Sequence, residues 1–471
     1  MLRNSSLALA VFCLCGNSCW ADQAVRVPHA DLITVYNDAM NSDANLAVAR
    51  ASFAAVREVV PQARAGLMPN LAAGATANDT HTGIDQPSIT ASRSTNTYQA
   101  TLNQPIFHAD RWFQLNAAKA ISEQAALQFS SVEQSVILRS AEDYFAVLRA
   151  QDSLATTKAE EVAFKRQLDQ AMERFATGLA DKTDTLQAQA SLDTSRANRI
   201  VAERQVEDAF QTLSTLTNRE YAAVQGIGHS LPMLPPSPGE AAAWVQTATQ
   251  QNLKLQASNF AVESAEETVR QRKAGHAPTL DAVARYQKGD NDGLGFTNPS
   301  KTGNRYDGDV EQRSIGLQLS IPLYSGGLTN SQVVEAVARL DQSEQQREVL
   351  RRQVVESTRN LYRAVSTDVV QARARRQSII SIQSAVQATE IGYRIGTRNI
   401  VDVLDTQRQL YAAVRDYNNT RYDYILDSLR LKQAVGTLSP VDLRALEGYL
   451  KTDYNPDRDF LPPDVGAEGS S

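Results

Sequence analysis

Two carboxylates three residues apart, Asp402 and Asp405, follow a break in a very long helical pattern, within Gly392-Tyr393-Arg394-Ile395-Gly396-Thr397-Arg398-Asn399-Ile400-Val401-Asp402-Val403-Leu404-Asp405. Gly396 sits where a helix ends with positive φ, Asn399 is placed to cap the next helix, and acids in that helix's opening turns complement its dipole. Taken alone, this is the chemistry of a hairpin tip and of no reaction. The same grammar occurs in Arg174-Phe175-Ala176-Thr177-Gly178-Leu179-Ala180-Asp181-Lys182-Thr183-Asp184-Thr185-Leu186. Elsewhere, catalytic and metal-binding residue types are scattered. His29, His81, His108, His229 and His276 have no ligand-like spacing. The run Gly289-Asp290-Asn291-Asp292-Gly293-Leu294-Gly295 lacks the full spacing and terminal Glu of a calcium loop. No Gly-x-Ser-x-Gly elbow or phosphate-cradling glycine loop appears. The chain reads as no enzyme, with no cofactor and no metal.

The elements that position the two tips form a duplication. A shift of 218 places puts Phe175 on Tyr393, Gly178 on Gly396, Asp184 on Asp402 and Leu192 on Leu410, and such self-similarity must be read before any fold is assigned. Aromatics make up only 6% of the 471 residues, and Ala, Gln, Ser and Thr fill long stretches without Pro, which predicts long helices with thin apolar seams. The net charge of −6 is spread without a basic block, so nothing points to nucleic acid. At the N-terminus, Arg3, an apolar run from Leu7 to about Cys15, and small residues before a cut after Ala21 read as a secretory signal over 1–21. All three cysteines (Cys13, Cys15, Cys19) fall inside it, and Gly16-Asn17-Ser18 is a poor match to a lipoprotein signal before Cys19.

The first repeat, 22–230, opens with a helix from Ala30 to about Ala65. Period-two strands follow at about 71–78 and 97–106, flanking a polar loop from Asp79 to Asn96. A helix from about Arg111 to Thr177 runs to a tip at about 178–183, and a helix returns from about Asp184 to Thr217. A Pro-rich linker, 231–239, leads to the second repeat, 240–439. There the opening helix is Ala241 to Lys273, the strands are about 280–287 and 314–323, and the second loop is Lys288 to Arg313. The long helix runs from about Leu328 to Ile395, the tip lies at about 396–400, and the return helix is Asp402 to Val435. Each long helix is roughly 100 Å at about 1.5 Å per residue, matched by two short helices end to end. Residues 440–471 form a segment at the joint and a disordered tail from about Asp453.

Four alternating strands cannot bury or close themselves, whereas three copies supply the strands of a membrane barrel. At this point the sequence closely resembles the TolC family of outer-membrane export channels. The resemblance covers nearly the whole mature chain. It rests on Gly396 to Asp405, on Arg174-Phe175 with Gly178-Leu179, on Pro322-Leu323-Tyr324 with Gly326-Gly327, and on the repeat. It implies a mainly α fold with a small β part: a trimeric 12-stranded β-barrel, four strands per protomer, continuous with a long α-helical coiled-coil tube. The implied protein is a homotrimer in outer-membrane lipid of a Gram-negative bacterium. It forms a passive exit duct docked to a periplasmic adaptor and an inner-membrane ABC or proton-driven transporter, for type I protein secretion or multidrug efflux.

By position, the resemblance also assigns a gate in which Tyr393 bonds Asp184, Arg398 meets Thr183 and Asp184, and Gln167 faces Glu390. Asp402 and Asp405 become carboxylate rings in the constriction. Adaptor contacts fall on Thr177, Gly178, Leu179, Ile395, Gly396 and Thr397. The alternative, a coiled-coil surface scaffold, explains the helices but not the strand pairs.

Overall fold

The computed structural model describes residues 30–85, 88–290 and 309–462. The first 29 residues (the signal segment included), 86–87, most of the second loop with 291–295 of its Asp/Gly run, and the last nine residues lie outside them. In chain order the elements are α1 (Leu32–Ser42), α2 (Ala44–Arg57), α3 (Val59–Ala65), β1 (Asn70–Asp85), β2 (Ser88–Phe107), α4 (Ala109–Ala176), α5 (Lys182–Thr217) and β3 (Gly226–Ile227). The second half follows with α6 (Ala241–Gln251), α7 (Leu253–Lys273), β4 (Thr279–Asp290), β5 (Asp309–Ser320), α8 (Leu328–Arg394), α9 (Ile400–Val435), α10 (Pro440–Glu447), β6 (Leu450–Lys451) and α11 (Pro456–Asp459).

The 68-residue α4 contains neither Gly nor Pro, so nothing interrupts its hydrogen-bond ladder over roughly 100 Å. The 67-residue α8 carries a single glycine, Gly392, in its last turn. The opening helices are segmented where single continuous helices were expected. Asp43 accepts the Asn45 N–H at 2.8 Å and Asn252 accepts the Leu255 N–H at 3.0 Å, so each starts a new helix in mid-pattern.

The four long strands form one antiparallel sheet in the order β1-β2-β4-β5, leaving β1 and β5 as open edges. Pairing of β1 with β2 continues from Asn70↔Asn103 to Asp85↔Ser88. The expected polar loop from Asp79 to Asn96 is therefore mostly a strand hairpin: its Thr, Ser and Asn residues form ladder bonds that a count of apolar alternation does not register.

The main core lies at mid-rod, where Tyr144, Phe145 and Leu148 of α4 meet Tyr422, Ile425 and Leu429 of α9. The chain's end is fastened there. β6 pairs with β3, the Tyr454 and Tyr422 hydroxyls both donate to Asp152, and Asn418 donates to the Phe460 carbonyl at 2.9 Å. The expectation of a loose tail from Asp453 is thus corrected over 453–462. Phe460 is buried, and two aromatics in a polar segment suffice to dock it.

Candidate functional site

Two surfaces single this chain out: the two faces of the sheet and the pair of tips about 100 Å away along the helices. On the sheet, the register aligns Leu71, Leu102, Ala284 and Ile315 in one row. Ala73, Ala100, Tyr286 and, at the upper end, Arg313 form the next, and Phe107, Leu280 and Leu319 a third. The opposite face carries Gly74, Gln99, Gln287 and Gln312 in one row and Ala72, Thr101, Arg285 and Ser314 in another. Ile315, Leu317 and Leu319 are well exposed in the chain, and the apolar band from Phe107 up to Tyr98 spans roughly 25 Å when the strands tilt as in a barrel. Apolar outside, polar inside and aromatic at both rims is the pattern of a membrane barrel wall. Among the described residues no helix is long and apolar enough to cross a membrane.

The tips are near-identical in backbone. Gly178 at φ 75° and Gly396 at φ 81° adopt the left-handed conformation that other side chains resist. Leu179 N–H reaches back to the Arg174 carbonyl at 2.8 Å, and Thr397 N–H to that of Gly392 at 2.8 Å, closing both helix ends with the same double turn. Asn399 then accepts the Asp402 N–H at 2.9 Å. Leu179 and Ile395 project into solvent, 70% and 69% exposed. Thr177, Gly178, Gly396 and Thr397 occupy the same two turns.

Side-chain partners at the tips differ from the expected ones within the chain. Tyr393 is buried among Leu168, Ala171, Leu192 and Leu404, and its hydroxyl has no hydrogen-bond partner. Burial, then the nearby Asp184 charge, raises its pKa. Asp184 is therefore close without a bond being made. Arg398 pairs with its own Asp402 at 3.6 Å, not with Thr183 or Asp184. Gln167 and Glu390 line one cavity of about 520 Å³ between α4, α8 and α9. Glu390, however, accepts from Gln407 at 2.8 Å, and the Gln167 carbonyl oxygen is left unpaired. Asp405 pairs with Arg408 at 2.8 Å.

Three contributors escaped the sequence reading. Arg174 stacks its guanidinium 4.7 Å from the Tyr393 ring centre and donates to the Arg394 carbonyl at 3.1 Å, tying one tip to the other. Gln407 holds Glu390, and Arg408 half-neutralises Asp405. Only the last was legible, because residues three apart on a helix are neighbours. Among the described residues no group of His, Cys, Asp or Glu is arranged to hold a metal ion.

Comparison with known proteins bears on both surfaces. Residues 35–219 and 244–437 each match the outer membrane efflux protein family, one match per repeat. The outer membrane protein TolC of Vibrio cholerae serotype O1 is 35% identical over 425 residues, covering 89% of this chain and 94% of that protein. TolC of Escherichia coli K12 is 32% identical over 435 residues, covering 92% and 87%. The alkaline protease secretion protein AprF of Pseudomonas aeruginosa is 27% identical, covering 91% and 89%. Among solved structures, the Vibrio cholerae outer membrane protein VceC superposes with a TM-score of 0.72 over 86% of this chain and 96% of its own, at 17% identity, a likeness of fold. A sheet with a lipid-type face, two long helical rods and a sequence match spanning both repeats lead to one conclusion: the chain belongs to the outer membrane efflux protein family, the TolC-type channels through which Gram-negative bacteria move material across the outer membrane.

Proposed function

We propose that the chain is one third of a passive exit duct, working in series with a periplasmic adaptor and an inner-membrane ABC or proton-driven transporter. The observation that carries this reading is the pair of unfilled sheet edges, β1 and β5, on a sheet whose one face is apolar and the other polar. Open edges of that kind demand strand partners. Three copies joining β5 to β1 make a twelve-stranded barrel of ordinary proportions, and the rods beneath continue it as a tube. The two repeats, 22–230 and 240–439, then alternate around the wall, with the 231–239 linker and residues 440–462 at the joint.

The gate is a device of the assembled tips. Arg398 is 61% exposed, with only a long in-chain pair to Asp402, and it is free to reach Asp184 and Thr183 of a neighbouring copy. Tyr393 needs a small shift to satisfy its hydroxyl on Asp184. Gln167 and Glu390 close the same cavity once Gln407 yields. Each exposed link is worth about 0–1 kcal/mol, so a threefold network holds shut yet opens when an adaptor binds the Thr177–Leu179 and Ile395–Thr397 turns. The protease-secretion relatives favour protein export among the duct's uses, and the TolC relatives favour a shared conduit for secretion and efflux.

Single-channel conductance in planar bilayers tests this. A small parental conductance that rises several-fold in Tyr393→Phe with Arg398→Ser supports both duct and gate. Equal conductance in two folded trimers moves the gate elsewhere, and no conductance from either removes the duct.

A further inference from the structure

Where the sheet meets the helices lies a cavity of about 390 Å³, walled by Leu67, Pro105, Phe107, His108, Trp112 and Phe113. Its rings are not core residues: Phe107 and Trp112 are 51% and 59% exposed. Past a bulge between Pro105 and Phe107, Phe107 stands in register with Leu280 and through it with Leu319, so the cavity's mouth adjoins the apolar face of the sheet. All four strands meet their helices at this level, which makes it the periplasmic rim, where a barrel carries its aromatic girdle at headgroup depth.

Cations gather at the same height. Arg64 ends α3 one turn before Leu67, Arg111 adjoins Trp112, and Arg272 with Lys273 end α7. Arg64, Arg272 and Lys273 are exposed. Among the described residues none of the three has a recorded ion pair, and Arg111 donates only to the Gly66 carbonyl, at 2.6 Å. Two acids at this level, Asp110 and Asp281, face His108 at 3.6 and 3.1 Å. Cations in a last helical turn complement its dipole wherever it ends. Beside an apolar cavity that opens onto a lipid face, they also match a phosphate above an acyl chain.

We propose that this corner is a binding site for an anionic phospholipid of the periplasmic leaflet. One acyl chain enters between Phe107, Trp112 and Phe113, and the phosphate meets Arg64 and Arg111. The site fixes the depth of the barrel at its lower rim, where the rods begin to carry load. It rests on the sheet lying in the bilayer, so co-flotation with liposomes is measured first and tests that placement separately.

The site itself is tested through tryptophan. The only tryptophans are Trp20, Trp112 and Trp244, and Trp20 precedes the expected signal cut, so Trp244→Phe in the exported protein leaves Trp112 as sole reporter. In detergent, chain-brominated phosphatidylglycerol should quench Trp112 at a lower mole fraction than chain-brominated phosphatidylcholine. Arg64→Gln, which alters an exposed side chain, should reduce that preference by about fivefold, the worth of one cation near an anionic surface. Equal quenching by both lipids would reduce the corner to ordinary boundary lipid and overturn the proposal. Absence of quenching by either lipid, in protein that floats with liposomes, would show the cavity covered by another copy and overturn it equally.

Discussion

The two halves of the chain share a sequence plan and differ in what surrounds it. Asn218 and Gly436, 218 places apart, both end a return helix in the left-handed conformation, at φ 52° and 86°. Asn218 is exposed, but a Cβ on Gly436 would stand 2.2 Å from the Gln251 carbonyl oxygen, because α9 ends against the break between α6 and α7. Phe175 is 47% exposed and its counterpart Tyr393 only 6%. Asp152 is sealed in mid-rod, while Val370, at the equivalent place, is exposed. The last of these follows from the helix neighbours. Helix α4 packs against α1, α2, α3, α5, α7, α9 and α11, whereas α8 packs only against α6, α7 and α9. Duplication repeats the residues; a single chain supplies only one of the two sets of neighbours.

The joint offers the sharpest way to break that comparison. Gly436→Asn, which copies the first half, should destabilise by more than about 4 kcal/mol, since backbone must move to admit the side chain. Asn218→Gly should stay within about 1 kcal/mol. Thermal melting of the two variants decides it, and similar melting points would mean that the second joint is not close-packed. Next in size, Tyr393→Ala should cost about 3 kcal/mol at the tip, as removal of a buried ring does, and Phe175→Ala well under half of that. Amide exchange of the two tip turns reads this directly. Tyr393→Phe should leave exchange unchanged, because the hydroxyl it removes is unpaired in the chain, even as it weakens the assembled gate.

Asp152 gives the comparison a pH signature. Burial lifts its carboxyl from 3.8 to about 6, against the opposing hydrogen bonds of Tyr454 and Tyr422 and the charge of Arg421. A carboxyl raised in the fold favours the fold below its unfolded value, near pH 3.8, and that contribution is lost as pH rises through about 6. Asp152→Asn should therefore melt higher than the parent above pH 6, by roughly 1–3 kcal/mol in stability, with the advantage gone below pH 4. Val370→Asn, at the duplicate position, should show no such pH dependence. A constant difference for Asp152→Asn at every pH would mean that the carboxylate is not held uncharged by burial.

What could be read beforehand was whatever depends on local pattern. Helix lengths follow from the absence of Gly and Pro, tip turns from Gly178 and Gly396, and strand faces from the alternation of Ile315, Leu317 and Leu319. What could not be read depends on distant partners. The breaks at Asp43 and Asn252 look like ordinary polar positions in a helix until their side chains turn back as caps. The outer halves of β1 and β2 are rich in Thr, Ser and Asn, so only pairing reveals them. At the tips the family resemblance located Tyr393, Asp184, Arg398, Gln167 and Glu390 on neighbouring turns. Within one chain Arg398 pairs instead with Asp402, and Glu390 accepts from Gln407.

The smallest expected effect concerns the carboxylates of the second tip. Asp402 and Asp405 are each paired in the chain, with Arg398 at 3.6 Å and Arg408 at 2.8 Å, and the first tip has Asp184 but no second acid three residues on. If three copies bring the second tips around a pore, Asp402→Ala with Asp405→Ala should weaken block by multivalent cations while leaving the trimer intact. Arg408→Gln should do the reverse, strengthening block a few-fold, since an exposed pair holds its carboxylate by about 0–1 kcal/mol and its removal leaves Asp405 bare. Block measured across these variants under low salt, where screening is least, separates two pictures. Opposite shifts place the acids at the constriction, and block unmoved by either change returns Asp402 and Asp405 to the helix-start role that their spacing alone supports.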